Sequence, residues 1–173
     1  YCPLCDSALV FDRRIGGEVR EFGISGLLYN SNVLLYDRQE DPSQESLWSQ
    51  VMMKAVCGPA ASEDMEFELL PSELATWGDW QKRHPETTVL SNDTGYQRNY
   101  KQNPYNEYFE REKLVFPVKV TDEQLGAYRG KERTVIVQAG GEMKGYPFRS
   151  LAKAANENGV VQDKVGGVAV KLT

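Results

Sequence analysis

Residues 8–39 read ALVFDRRIGGEVREFGISGLLYNSNVLLYDRQ, and this stretch decides the fold. Two runs suited to strands, 8–14 and 18–25, flank Gly16-Gly17. Paired glycines accept the positive φ that a tight hairpin turn demands, so the two runs are expected to pair. A third run, 32–39, is entered through a Gly- and Asn-rich bend over 26–32. The first third of the chain therefore reads as antiparallel strands. Beyond it, the polar residues 40–45 read as a loop, and 46–56 reads as strand because Gly58-Pro59 ends it abruptly. Residues 65–70 alternate and add one more strand.

Residues 71–85, PSELATWGDWQKRHP, form the strongest helix pattern. Ser72 can cap the free amides, Pro85 stops the run, and Leu74, Trp77 and Trp80 fall on one side. A short strand is expected at 87–91. Residues 92–113 are polar, rich in Asn and Tyr, and show no sustained period, which reads as a long loop. Strands are expected at 114–120 and 133–139, with Gly140-Gly141 turning the latter into another strand. A short helix follows from Arg149 to Asn158 with Gly159 as its left-handed stop. Residues 160–173 close the chain as a hairpin around Gly166-Gly167. The whole reads as one α+β domain over residues 1–173. It is mostly an antiparallel β-sheet, or barrel-like, with two short helices covering it.

A chain of 173 residues buries roughly 70% of the surface it exposes when unfolded, so a core can carry the fold. The net charge of −5, with charges interspersed, offers no basic footprint for nucleic acid. No apolar run approaches the ~20 residues of a membrane-spanning helix. The chain begins without Met or a leader pattern, which suggests processing or a fragment. Three cysteines, Cys2, Cys5 and Cys57, cannot all pair within one chain.

Cys2-Pro-Leu-Cys5 is the most pointed motif. Two intervening residues let both sulfurs face one point, for a disulfide or for two metal bonds. The residues that follow read as a strand, whereas a thiol-exchange motif usually opens a helix. A quiet disulfide or a packed pair of thiols stands beside the metal or redox reading. With Cys57 and His84 the chain holds a Cys₃His set, the donor count of a structural zinc site, but at spacings that do not match one. A copper site on Cys2, Cys5 and His84 is a further option, since soft thiolates suit Cu(I). Alone, Cys57 suits a buried apolar position, and His84 suits the C-terminal end of a helix dipole.

Other candidates are weighed the same way. Asp12-Arg13 and Asp37-Arg38 each end an apolar run, as exposed pairs or as a repeated polar rim around a ligand. Trp48, Trp77 and Trp80 form either core or an aromatic platform. Tyr96 and Tyr100 in the 92–113 loop are candidates for the lip of a ligand site. Asp93-Thr94-Gly95 imitates an aspartic-protease signature, but no second copy exists to share its proton, so a turn is the better reading. No phosphate-cradling glycine motif and no GxSxG are present.

YCPLC (1–5), FDRR (11–14), FGISGLLYNSNVLLYDR (22–38), SLWSQ (46–50), ELLPSELATWGDWQKRHP (68–85) and VLSNDTGY (89–96) together resemble the domain-of-unknown-function 3179 family. The likeness runs unbroken over most of residues 1–100 and returns, more divergent, over 133–173. Both Asp-Arg pairs and His84 match the family pattern; Cys57 does not. Members usually carry a segment ahead of YCPLC that is similar to this chain's own residues 145–173. The resemblance thus implies two copies of that unit, of which this chain keeps the second. The first copy often bears a Trp-His pair where this chain has Ala154-Ala155, so a site shared with Cys2 and Cys5 would be incomplete here. Many members look exported or lipid-anchored, which implies a periplasmic or extracellular location.

Two expectations follow. One is an extracytoplasmic domain handling a metal or thiol redox through Cys2 and Cys5. The other is a non-enzymatic binding or structural module that self-associates or takes a partner strand at its termini, near Tyr1 or Leu172.

Overall fold

The computed structural model describes residues 1–126, 128 and 130–173. Where the sequence reads as one undivided domain, backbone contacts group the chain into two compact units, Tyr1–Lys119 and Val120–Thr173. Each is described by itself.

The first unit runs β1 (Val10–Asp12), β2 (Arg14–Ile15), β3 (Glu18–Val19), β4 (Phe22–Tyr29), β5 (Asn32–Asp37), a 3₁₀ turn (Pro42–Gln44), β6 (Leu47–Ser49), β7 (Lys54–Cys57), α1 (Pro59–Ser62), β8 (Glu68–Leu70), α2 (Trp77–Arg83) and α3 (Asn106–Glu110). Its largest sheet is the antiparallel meander β4-β5-β6-β7. Asn30 (φ 48) and Ser31 (φ 60) make the two-residue turn between β4 and β5, both in the left-handed region that such a turn requires. The Gly16-Gly17 hairpin forms as expected but is short, pairing Arg14 with Val19 and Ile15 with Glu18. The preceding residues leave it to pair as β1 with β8, Val10 opposite Leu70.

The run over 46–56 is two strands rather than one. β6 and β7 fold back through residues 50–53, placing Trp48 opposite Ala55. That turn centres the core. Trp48 is wholly buried, with Ile15, Ala55, Ala60 and Phe67 around it and Phe11, Phe22 and Leu35 packed on the outside. Phe22 meets Trp48 edge-on at 5.5 Å, and Phe11 stacks on Phe67 at 4.4 Å.

Further expectations are corrected in this unit. Residues 92–113 are not loop throughout, since α3 falls within them. The helix begins at Trp77, capped by Thr76 rather than Ser72, and Leu74 and Trp77 lie exposed instead of covering a sheet. Residues 87–91 form no strand. Nor do 114–120, because side chains of the β4–β5 turn take their backbone groups: Ser31 Oγ donates to Phe116 O at 2.8 Å, and Lys119 N donates to Asn30 Oδ1 at 2.8 Å.

The second unit holds α4 (Asp122–Leu125), β9 (Thr134–Ala139), β10 (Glu142–Pro147), α5 (Phe148–Ala154), β11 (Val161–Val165) and β12 (Val168–Leu172). Both glycine-turned hairpins form as read. The helix ends at Ala154, short of Asn158. Gly159 (φ 74) then supplies a left-handed residue in a turn whose Asn156 side chain accepts from Asn158 N and Val160 N. The two hairpin turns touch through glycines, and the Gly166 amide donates to Glu142 Oε2 at 3.1 Å. Asp163 Oδ2 takes Lys144 Nζ at 2.7 Å and Tyr146 Oη at 2.9 Å, bracing β10 against β11. The protein is thus mostly β with few helices. Among the described residues its small antiparallel sheets do not close into a barrel.

Candidate thiol site

Residues 2–7 form a closed loop whose ends pair through a single bridge, Cys2 N donating to Ser7 O at 2.9 Å. The positive φ of Asp6 (50°) turns the chain there. This geometry puts two sulfurs in one small turn with different surroundings. Cys2 has no exposed surface. Burial alone would push its thiol up, but the backbone amides of Val33, Leu4 and Cys5 and the Cys5 thiol face the sulfur and hold it below the ordinary value. Cys5 is exposed as a residue, yet desolvation of its sulfur pushes its thiol up. Ser7 Oγ lies 3.0 Å from Cys5 Sγ, and Asn32 Nδ2 donates to it at 2.9 Å. Behind them Gln50 Nε2 donates to Ser7 Oγ at 2.7 Å. Burial pushes up the Tyr1 and Tyr108 phenols, helped at Tyr1 by its hydrogen bond to Asp6 and that carboxylate's charge, and at both by the neighbouring sulfurs.

The other candidates lie elsewhere. All three cysteines are free thiols, and Cys57 stands exposed at the end of β7. His84 ends α2, its ring tilted against Trp80 with centroids 4.1 Å apart. Among the described residues no three His, Cys, Asp or Glu side chains gather around one point, so the zinc set of Cys2, Cys5, Cys57 and His84 is not assembled. His84 likewise joins no copper site with the two cysteines. Asp37 is no rim residue. It is fully buried, with Arg20 Nη1 on Oδ2 at 2.6 Å, Gln39 Nε2 on the same oxygen at 3.0 Å, and Ser46 N on Oδ1 at 2.6 Å. Burial would raise its carboxyl, but these donors outweigh it and hold the group below the usual range. Arg38 points outward over Tyr36. Trp48, wholly buried, has no face to offer a ligand. Tyr96 and Tyr100 are exposed, and Tyr100 Oη pairs locally with Thr94 Oγ1 at 2.5 Å.

The model for a family of proteins of unknown function, DUF3179, matches residues 1–173, the entire chain. The chain belongs to the DUF3179 family. No curated protein and no solved structure matches it.

In this DUF3179 chain the CPLC motif was legible from spacing, but its surroundings were not. Ser7, Asn32 and Gln50 carry no motif. Asn32 opens β5 just after the Asn30-Ser31 turn, and Gln50 opens the β6–β7 turn. Only the folded meander brings Asn32 to Cys5 and Gln50 to Ser7.

Proposed function

We propose that this chain is an extracytoplasmic domain that handles a soft metal ion, with Cys2 and Cys5 holding one Cu(I) as paired thiolates. The observation that carries the reading is the set of amides converging on the buried Cys2 sulfur. Backbone N–H groups aimed at a sulfur favour its anionic form, which is the form that binds metal. Soft thiolates select Cu(I), for which two sulfurs are enough, whereas a structural zinc site asks for four ligands. Disulfide exchange fits less well. Its attacking sulfur must be both activated and accessible, and here the favoured sulfur is the enclosed one. The extracytoplasmic part rests on the likeness to family members that look exported.

The test is native mass spectrometry of the reduced protein with Cu(I) added under anaerobic conditions. One Cu(I) adduct is expected in the unaltered chain and in Cys57→Ser, and none in Cys2→Ser or Cys5→Ser. A chain that takes no Cu(I), or holds it equally well without Cys2, would sink the proposal.

A second reading, a binding module, draws on β12. That strand pairs with β11 alone, so among the described residues its other edge has no strand partner. An open edge can take a strand from a second molecule. A dimer in light scattering that Val170→Pro abolishes would support this reading; a strict monomer at high concentration would remove it.

A further inference from the structure

Gln50 sets a direction of hydrogen bonding that ends on Cys5. Its Nε2 can only donate, and it donates to Ser7 Oγ. That occupies one of the serine's two lone pairs and favours turning its hydroxyl hydrogen to the other neighbour, Cys5 Sγ, 3.0 Å away. Asn32 Nδ2 donates to the same sulfur. The sulfur thus receives one fixed donor, Asn32, and faces a second group, the Ser7 hydroxyl, that Gln50 biases towards donating. Asn32 and Gln50 are only 7% and 4% exposed. The Asn32 Oδ1 atom is buried without a hydrogen-bond partner. An unpaired buried carbonyl is unfavourable, and a residue selected for packing alone would not need one. The Asn32 amide is held by the end that faces Cys5.

We infer that Ser7, Asn32 and Gln50 are positioning residues that keep the Cys5 sulfur a hydrogen-bond acceptor, the state in which it can ligate a soft cation. The cation part of this rests on the Cu(I) reading above; the orientation of the sulfur does not. Partners of this kind, one step behind a ligand, fix its direction and commonly change metal affinity by about 10- to 100-fold when removed.

Three variants separate orientation from mere packing. Gln50→Glu keeps the shape but replaces the donor by a carboxylate, which accepts the Ser7 hydroxyl hydrogen and turns the chain of bonds around. Ser7→Ala removes the hydroxyl, and Ser7→Thr restores it. Two readouts are taken at fixed pH: Cu(I) affinity by competition with a chromophoric chelator, and the alkylation rate of Cys5 by iodoacetamide, followed by peptide mass spectrometry. Gln50→Glu and Ser7→Ala are expected to weaken Cu(I) binding about 10- to 100-fold and to slow Cys5 alkylation, with Ser7→Thr near the unaltered protein. Unchanged values in Gln50→Glu and Ser7→Ala, or a Ser7→Thr as impaired as Ser7→Ala, would overturn the inference. If the unaltered chain takes no Cu(I), the metal reading fails and the alkylation rates alone decide. Should Gln50→Glu fail to fold, as judged by circular dichroism, the two Ser7 variants decide.

Discussion

Asp37 and Arg38 are adjacent in sequence and opposite in role. Asp37, the last residue of β5, is wholly buried with three side-chain or backbone donors, while Arg38 lies on the surface over Tyr36. Removing one partner of a buried ion pair strands the other, which typically costs about 3–5 kcal/mol. Asp37→Asn should therefore destabilise by about 3 kcal/mol, and Arg38→Ala by less than about 1 kcal/mol, read from urea denaturation midpoints. The sign with pH follows from the lowered carboxyl. The Asp37 contribution is fully present above the unfolded value near ~3.9 and fades as pH falls through the lower folded value. The stability difference between the unaltered protein and Asp37→Asn should shrink from pH 6 towards pH 2; a constant difference would contradict the buried pairing. Two features of this scale were readable in advance, the paired cysteines and the repeated Asp-Arg. Which Asp-Arg member turns inward was not, because strand pairing decides it: Asp37 lies opposite Phe22 on β4, and its amide bonds Ser46 O.

Among the elements, the glycine-turned hairpins were the most legible because a positive φ at two successive residues leaves few other residue choices. They also make sharp tests. A Cβ on Gly140 would collide with the Gly166 backbone, while one on Gly141 would meet nothing. Both glycines have positive φ, 56° and 77°. Gly141→Ala should cost only the left-handed penalty of roughly 1–2 kcal/mol, and Gly140→Ala clearly more, in thermal melts of the full chain. The Lys144–Asp163–Tyr146 brace belongs here too. The Lys144 ammonium, the Lys164 amide and the Tyr146 hydroxyl hold Asp163 down to about 2. The brace should survive mild acid and open only as pH falls through that value, visible as a single late carboxyl titration in NMR. The missed elements share a cause. Residues 114–120 have the apolar content of a strand, but a strand needs a ladder partner. Asn30 and Ser31 take its backbone groups instead, a tertiary contact that no local pattern encodes. The helix over 71–85 lost its first turn for a related reason: Thr76 accepts from Asp79 N and caps the helix four residues after Ser72.

At the scale of the whole molecule, burial is unevenly distributed. Through residues 71–104 every residue but Trp80 is exposed, whereas β5 is buried at Asn32, Val33, Leu34 and Asp37. Segments with few buried contacts open at low free energy. Trypsin should therefore cut first within 71–104, at Lys82, Arg83, Arg98 or Lys101, before any site in the β4–β7 meander; early cleavage after Lys54 would contradict this. The same unevenness divides the three indoles. Trp48 lies wholly buried in the core, while Trp77 and Trp80 sit on an outlying helix, Trp77 at 45% exposure. The protein's ultraviolet emission should consequently be a sum of a blue, shielded component and a red, quenchable one. Iodide or acrylamide would extinguish the second at concentrations that spare the first. Adding denaturant would shift the first only when the meander itself came apart, so a single cuvette could time the loosening of the outlying helix and the loss of the core as separate events.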